Sequence, residues 1–212
     1  MRRKIMNHLE SLLNECVTQI IEEVRAIKFE DENVYANWLA QTYYYTSVSE
    51  SILRTSAKHC KSEELSKRWL EHADEESGHE NLALSDLKSL GYNICDFQEY
   101  EETKIFYQSQ FYYANTYGGE SVFGWVLALE AFAANLPQII VNNLIQKYGK
   151  SATRFMKVHT DEDIEHIKKA LEAVNQLPNK DIIINNMKET TKRYIRLLQA
   201  CESSAQTLSK AS

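Results

Sequence analysis

The sequence predicts an all-α protein, a bundle of seven helices in a single domain spanning residues 1–212. Apolar residues recur at steps of three and four through long stretches, the periodicity of helices with one buried face. Glycine (6) and proline (2) are too scarce in 212 residues for an all-β fold or repeated βα units, which need frequent turns. No internal repeat or low-complexity linker divides the chain, which is long enough to bury roughly 70% of its unfolded surface.

Helical spacing runs through residues 3–28, 33–61, 63–90, 101–117, 121–148, 151–177 and 181–208. Gly91 is placed to end the third segment, Gly118 and Gly119 the fourth, and Gly149 the fifth; Ser151 is positioned to cap the sixth and Pro178 to stop it. Pro137 falls inside the fifth segment, where a missing N–H and a ring clash predict a kink just after Asn135 and Leu136. Residues 92–100 read as an ordinary connecting loop.

A formal charge of -6, from 30 acidic and 24 basic residues, offers no basic stripe for a phosphate backbone, so nucleic acid is not expected as a partner. There is no run of about 18 apolar residues and no signal-peptide core after Met1, so the chain is expected to be cytoplasmic and to have no membrane partner. Cys16, Cys60, Cys95 and Cys201 form no Cys-x-x-Cys pair, which argues against a thiolate zinc site or a dithiol redox motif.

Three helical segments carry ionisable residues where a core stripe should be apolar. In the third, the stripe runs Leu65, Trp69, His72, Glu76, His79, Ala83 and then Leu87 or Asp86. Glu76 and His79 would lie about 60° apart on one helix, the Glu-x-x-His spacing that gives one metal two ligands, with Glu75 as a substitute at i to i+4. In the sixth, His159, Asp163 and His166 interrupt the stripe of Phe155, Ala170 and Val174 at i, i+4 and i+7. In the fifth, Glu130 sits in a helix apolar on every face. A carboxylate buried there must be protonated, paired or bound to a metal.

Three carboxylates (Glu76, Glu130, Asp163) and three imidazoles (His79, His159, His166) suit iron or manganese better than zinc, and six ligands could hold two metals. Glu130, with no histidine on its own helix, is the expected bridge. His72 is an alternate or supporting ligand. Among the tyrosines, Tyr43 and Tyr44 are the candidates for a phenol near the metals that carries a proton or an electron, aromatic packing being the plainer alternative.

These residues carry a resemblance. Trp38-Leu-Ala-Gln-Thr-Tyr-Tyr44, His72-Ala-Asp-Glu-Glu-Ser-Gly-His-Glu80, Ser85-Asp-Leu-Lys-Ser-Leu-Gly91, Leu127-Ala-Leu-Glu130 and His159-x-x-x-Asp163-x-x-His166 resemble the haem-oxygenase-like di-iron oxidases and oxygenases, relatives of the thiaminase-like TenA and the PqqC proteins. The resemblance spans residues 35 to 178. It implies a seven-helix haem-oxygenase-like bundle, Fe(2+) at two ions per chain with Mn(2+) as the alternative, dioxygen as co-substrate, and a small-molecule substrate such as an amine, amino acid, fatty acid or tyrosine derivative. It also implies a homodimer. His79, Glu130, Asp163 and His166 match ligands, Glu76 matches the glutamate three residues before the histidine, and His159 matches a ligand of some branches. Gln41 departs from the pattern, standing where many members have a glutamate ligand. The competing expectations are a metal-free TenA- or PqqC-like enzyme and an interaction bundle without catalysis.

Overall fold

A computed structural model describes the backbone of residues 2–209 and the side chains of residues 8–160 and 167–205. The described residues form helices α1 (Arg2–Ala26), α2 (Glu32–Thr46), α3 (Ser49–His59), α4 (Glu63–Glu75), α5 (Glu80–Ser89), α6 (Glu101–Tyr117), α7 (Phe123–Ala134), α8 (Gln138–Tyr148), α9 (Arg154–Gln176) and α10 (Asp181–Ser209). The bundle is all-helical as the sequence predicts, but three of the seven segments are each broken in two.

Each break has a local cause. Between α2 and α3 the hydroxyls of Thr46, Ser47 and Ser49 donate to the carbonyls of Thr42, Tyr44 and Thr46 at 2.7–2.8 Å, competing with the helical ladder. Between α4 and α5 lies Gly78 at φ +90°, a conformation that a residue with a Cβ resists. At Pro137 the expected kink is a full break. Residues Gly119–Ala134 and α8 meet at 72°, and Pro137 opens the new helix.

α7 is the hub, buried on nearly all sides and packed against α9, α10 and α1. Its contact with α10 is set by Gly124, where a Cβ would fall 2.3 Å from the Ile183 carbonyl oxygen and 2.4 Å from the Met187 nitrogen. Only hydrogen fits there. No single described helix is long and apolar enough to cross a membrane.

The start of α9 corrects one expectation. Ser151 does not cap the helix; it lies in a short 3-10 turn (Lys150–Ala152), and Thr153, which precedes α9, makes no side-chain cap. The cap comes instead from Asp86 on α5, whose Oδ2 accepts the backbone N–H of Phe155 at 2.8 Å.

Candidate metal centre

Glu76 follows the last residue of α4 and His79 precedes the first of α5, so the Glu-x-x-His pair lies on a turn and not on one continuous helix. The turn is held by His79 N–H donating to the Glu76 carbonyl at 3.2 Å, and positive φ at Gly78 re-aims the chain between them. The two side chains still meet, with Nδ1 of His79 3.3 Å from Oε2 of Glu76.

His159 approaches from α9, its ring centroid 5.2 Å from that of His79 and edge-on to it. Its Nδ1 lies 2.8 Å from the Phe155 carbonyl oxygen one turn earlier, and the two rings pack at 4.1 Å. A carbonyl only accepts, so Nδ1 carries the hydrogen, and in the neutral imidazole Nε2 then has the lone pair, the arrangement typical of a metal-ligating histidine. Ligand atoms of Glu76, His79 and His159 all lie within 4.8 Å of one another. Two imidazoles and one carboxylate form the set that binds ferrous iron with positions left open.

Behind this trio sits an acidic pair bridged by an imidazole. Nε2 of His72 is 3.2 Å from Oε1 of Glu130 and 3.7 Å from Oε1 of Glu76, and its ring stacks on Trp69. Burial works against a charge on His72, but the hydrogen bonds to Glu130 and Glu76 outweigh it and lift its pKa to about 10. Burial likewise opposes ionisation of Glu76, and hydrogen bonds from His72 and His79 outweigh it, holding the carboxyl far below the usual range. Glu130 is buried, as its apolar helix implied.

The other expected residues divide. Asp163 and His166 fall within α9, but their side chains lie outside the described residues. Glu75 is not brought to the trio: it is exposed and pairs with Lys169 at 3.8 Å. Gln41 is not brought there either. It is fully buried, donating to the Gln98 carbonyl at 2.9 Å and accepting from the Tyr100 N–H at 3.0 Å and the Thr103 hydroxyl at 2.7 Å. Tyr44 donates to the Phe97 carbonyl at 2.8 Å and stacks edge-on with Tyr43.

A cavity of about 120 Å³ opens beside the trio, with His72, Glu76, Glu130 and His159 in its wall. Its remaining lining is aliphatic and aromatic apart from Thr46, Ser49 and Thr160, and neither Tyr43 nor Tyr44 is part of it. The tyrosines that line it are Tyr35, Tyr45 and Tyr194. The sequence could have indicated Tyr45, which lies seven residues from the cavity-lining Trp38 and so on the same face of α2. Nothing local marks Tyr194. None of the four cysteines lines the cavity, which removes the nucleophile that a thiaminase-like hydrolysis would need there.

Three comparisons with known proteins bear on this site. Comparison with curated proteins finds no match. Among solved structures, the chain is similar to a domain of unknown function with a heme oxygenase-like fold from Shewanella denitrificans OS217, at a TM-score of 0.75 and 18% identity, covering 99% of this chain and 95% of that one. A likeness at that identity establishes the fold. The model of the iron-containing redox enzyme family matches residues 36–197, a span that takes in all the residues of the trio and the acidic pair behind it. The chain is a haem oxygenase-like helical bundle and belongs to the iron-containing redox enzyme family.

Proposed function

We propose that this protein is a non-haem iron oxidase or oxygenase that uses dioxygen to oxidise a small molecule held in the cavity beside Glu76, His79 and His159. The observation that carries the reading is the convergence of those three ligand atoms within 4.8 Å at the wall of an apolar cavity. Glu130, with Asp163 and His166 on the same helix as His159, completes the set of six that the sequence assigns and would serve a second ion.

Ferrous iron held by these residues would supply the electrons for dioxygen activation. His79 and His159 offer nitrogen donors and Glu76 an oxygen donor, while the Phe155 carbonyl fixes the tautomer and ring angle of His159. His72 holds a proton at Nε2 between Glu130 and Glu76, beside the reacting space. The largely apolar wall shields part of the bound molecule from water.

A metal-free enzyme is the second reading, favoured by one observation: His72 already pairs with both Glu130 and Glu76 and, when cationic, offsets one of their two charges without an ion. Anaerobic reconstitution with ferrous iron, followed by exposure to oxygen in an oxygen electrode, separates the two. Iron-dependent oxygen uptake with a transient visible absorption supports the oxidase. Failure to retain iron under any loading condition supports the metal-free enzyme.

A further inference from the structure

We propose that Trp38, Tyr35 and Tyr148 form a one-electron relay between the wall of the metal centre and the surface, through which an oxidising equivalent leaves when the cavity holds no substrate. The inference rests on the oxidase reading for its oxidant, but its evidence is a row of rings outside the ligand trio.

The row is continuous. The His159 ring packs on Phe155 at 4.1 Å, and Phe155 meets Trp38 edge-on at 6.1 Å. Trp38 stacks on Tyr35 at 5.6 Å and Tyr35 on Tyr148 at 4.6 Å, with interplanar angles of 21° and 6°. Indole and phenol give up an electron far more readily than a phenyl ring or an aliphatic side chain. Phe155 is therefore the bridge, and the three rings beyond it are the stations.

The row also has an exit. Trp38 and Tyr35 are buried, whereas Tyr148, the last residue of α8, is half-buried. Three carboxylates, Glu30, Asp31 and Glu32, act on its phenol and favour electron loss, against one ammonium, Nζ of Lys147, 5.7 Å from the ring centre. The branch through Tyr194, which accepts the Nε1–H of Trp38 at 3.2 Å, ends in the buried Tyr194 and Tyr45. Trp69, stacked on His72, is the competing outlet and leads to the Cys60 thiol through a single oxidisable ring.

Each event moves one electron. Tyr148 loses it and releases its phenolic proton to water; the electron passes through Tyr35 and Trp38 to the oxidised centre, which takes up a proton from solvent. A thiol in solution then gives a hydrogen atom to the phenoxyl radical and becomes a thiyl radical, so Tyr148 is restored.

The test has two arms, both on the full chain. Without metal, an ultraviolet flash ionises the tryptophans, and visible absorption follows the replacement of tryptophanyl by tyrosyl radical. One phase of this transfer is expected to vanish in Trp38→Phe and to slow at least tenfold in Tyr35→Phe and in Tyr148→Phe. The two tyrosine variants keep their rings in place and carry this arm if Trp38→Phe does not fold. With ferrous iron and dioxygen but no substrate, a nitroso spin trap read by peptide mass spectrometry is expected to label Tyr148, and in Tyr148→Phe the label moves inward to Trp38 or Tyr35. A flash phase unchanged in both tyrosine variants, or a label on Trp69 or Cys60 in place of Tyr148, overturns the inference. The expected flash phase in a chain that never retains iron would sink the oxidase reading while the conduction stands; iron-dependent oxygen uptake with an unchanged flash phase would sink the relay alone.

Discussion

Oδ2 of Asp86 accepts the backbone N–H of Phe155 at 2.8 Å, so a side chain of α5 caps α9 from 69 residues away. His79 precedes α5 by one residue and His159 lies one turn beyond Phe155, so this one hydrogen bond ties together the two elements that carry the imidazoles. Arg154 flanks the same carboxylate at 3.6 Å. Replacing Asp86 with alanine strands a buried N–H at a helix start, a loss of about 1–3 kcal/mol. The expected result is a lower melting temperature together with weaker ferrous binding, and Asp86→Asn, which keeps an acceptor, should restore most of both.

Asp86 also sets a pH dependence. Burial raises its pKa to about 6 against the ordinary 3.8, although hydrogen bonds from the Phe155 and Arg154 backbone oppose the shift. The unfolded chain therefore loses this proton near pH 4, whereas the folded chain keeps it until about 6. Within that window the folded state binds more protons, so the contribution of Asp86 makes stability fall as pH rises from about 4 to about 6 and level off above. Melting curves of wild type and Asp86→Asn across that range should differ in slope by this contribution; parallel curves would show that Asp86 does not titrate there.

Gly78 is predicted to matter more for the site than for the fold. A Cβ at φ +90° meets open space, its nearest neighbour being Nδ2 of Asn81 at 3.8 Å, so the cost is conformational, about 1–2 kcal/mol. If Gly78→Ala relaxes the turn, His79 swings away from Glu76. Ferrous affinity should then drop tenfold or more while the helical circular-dichroism signal is unchanged, and Gly78→Asn should lose less, since asparagine tolerates positive φ.

Restoring a glutamate at position 41 should not restore a ligand. The Nε2 of Gln41 donates to the Gln98 carbonyl, and a carboxylate there would place oxygen against oxygen in a fully buried position. Gln41→Glu is expected to cost about 1–3 kcal/mol in urea unfolding and to leave the iron stoichiometry unchanged. A gain of bound iron would show that the side chain can leave residues 98–103 and reach the trio.

Much of this was legible in the sequence because it is periodic. The helical stripes are legible there, and His72, Glu76, His79 and His159 do come together, although Glu76 and His79 do so across a turn and not on the continuous helix that their spacing implied. The turn at Gly78 was not legible, since an isolated glycine inside a helical pattern is usually tolerated. Asp86 was ambiguous with Leu87 as a core position, and its role depends on a partner 69 residues away that no local pattern encodes. Tyr43, Tyr44 and Tyr45 differ by 100° of helix rotation each, and only the packing of α2 decides that Tyr45, and neither Tyr43 nor Tyr44, faces the cavity.

The central claim is that Glu76, His79 and His159 hold iron. Anaerobic ferrous titration of wild type, Glu76→Ala, His159→Ala and the exposed-histidine control His59→Ala, with metal content read by elemental analysis, tests it most directly. At least one tightly bound iron per chain in wild type and His59→Ala, and its loss in Glu76→Ala and His159→Ala with folding intact, is the predicted outcome. Undiminished iron in the Glu76 and His159 variants would contradict it.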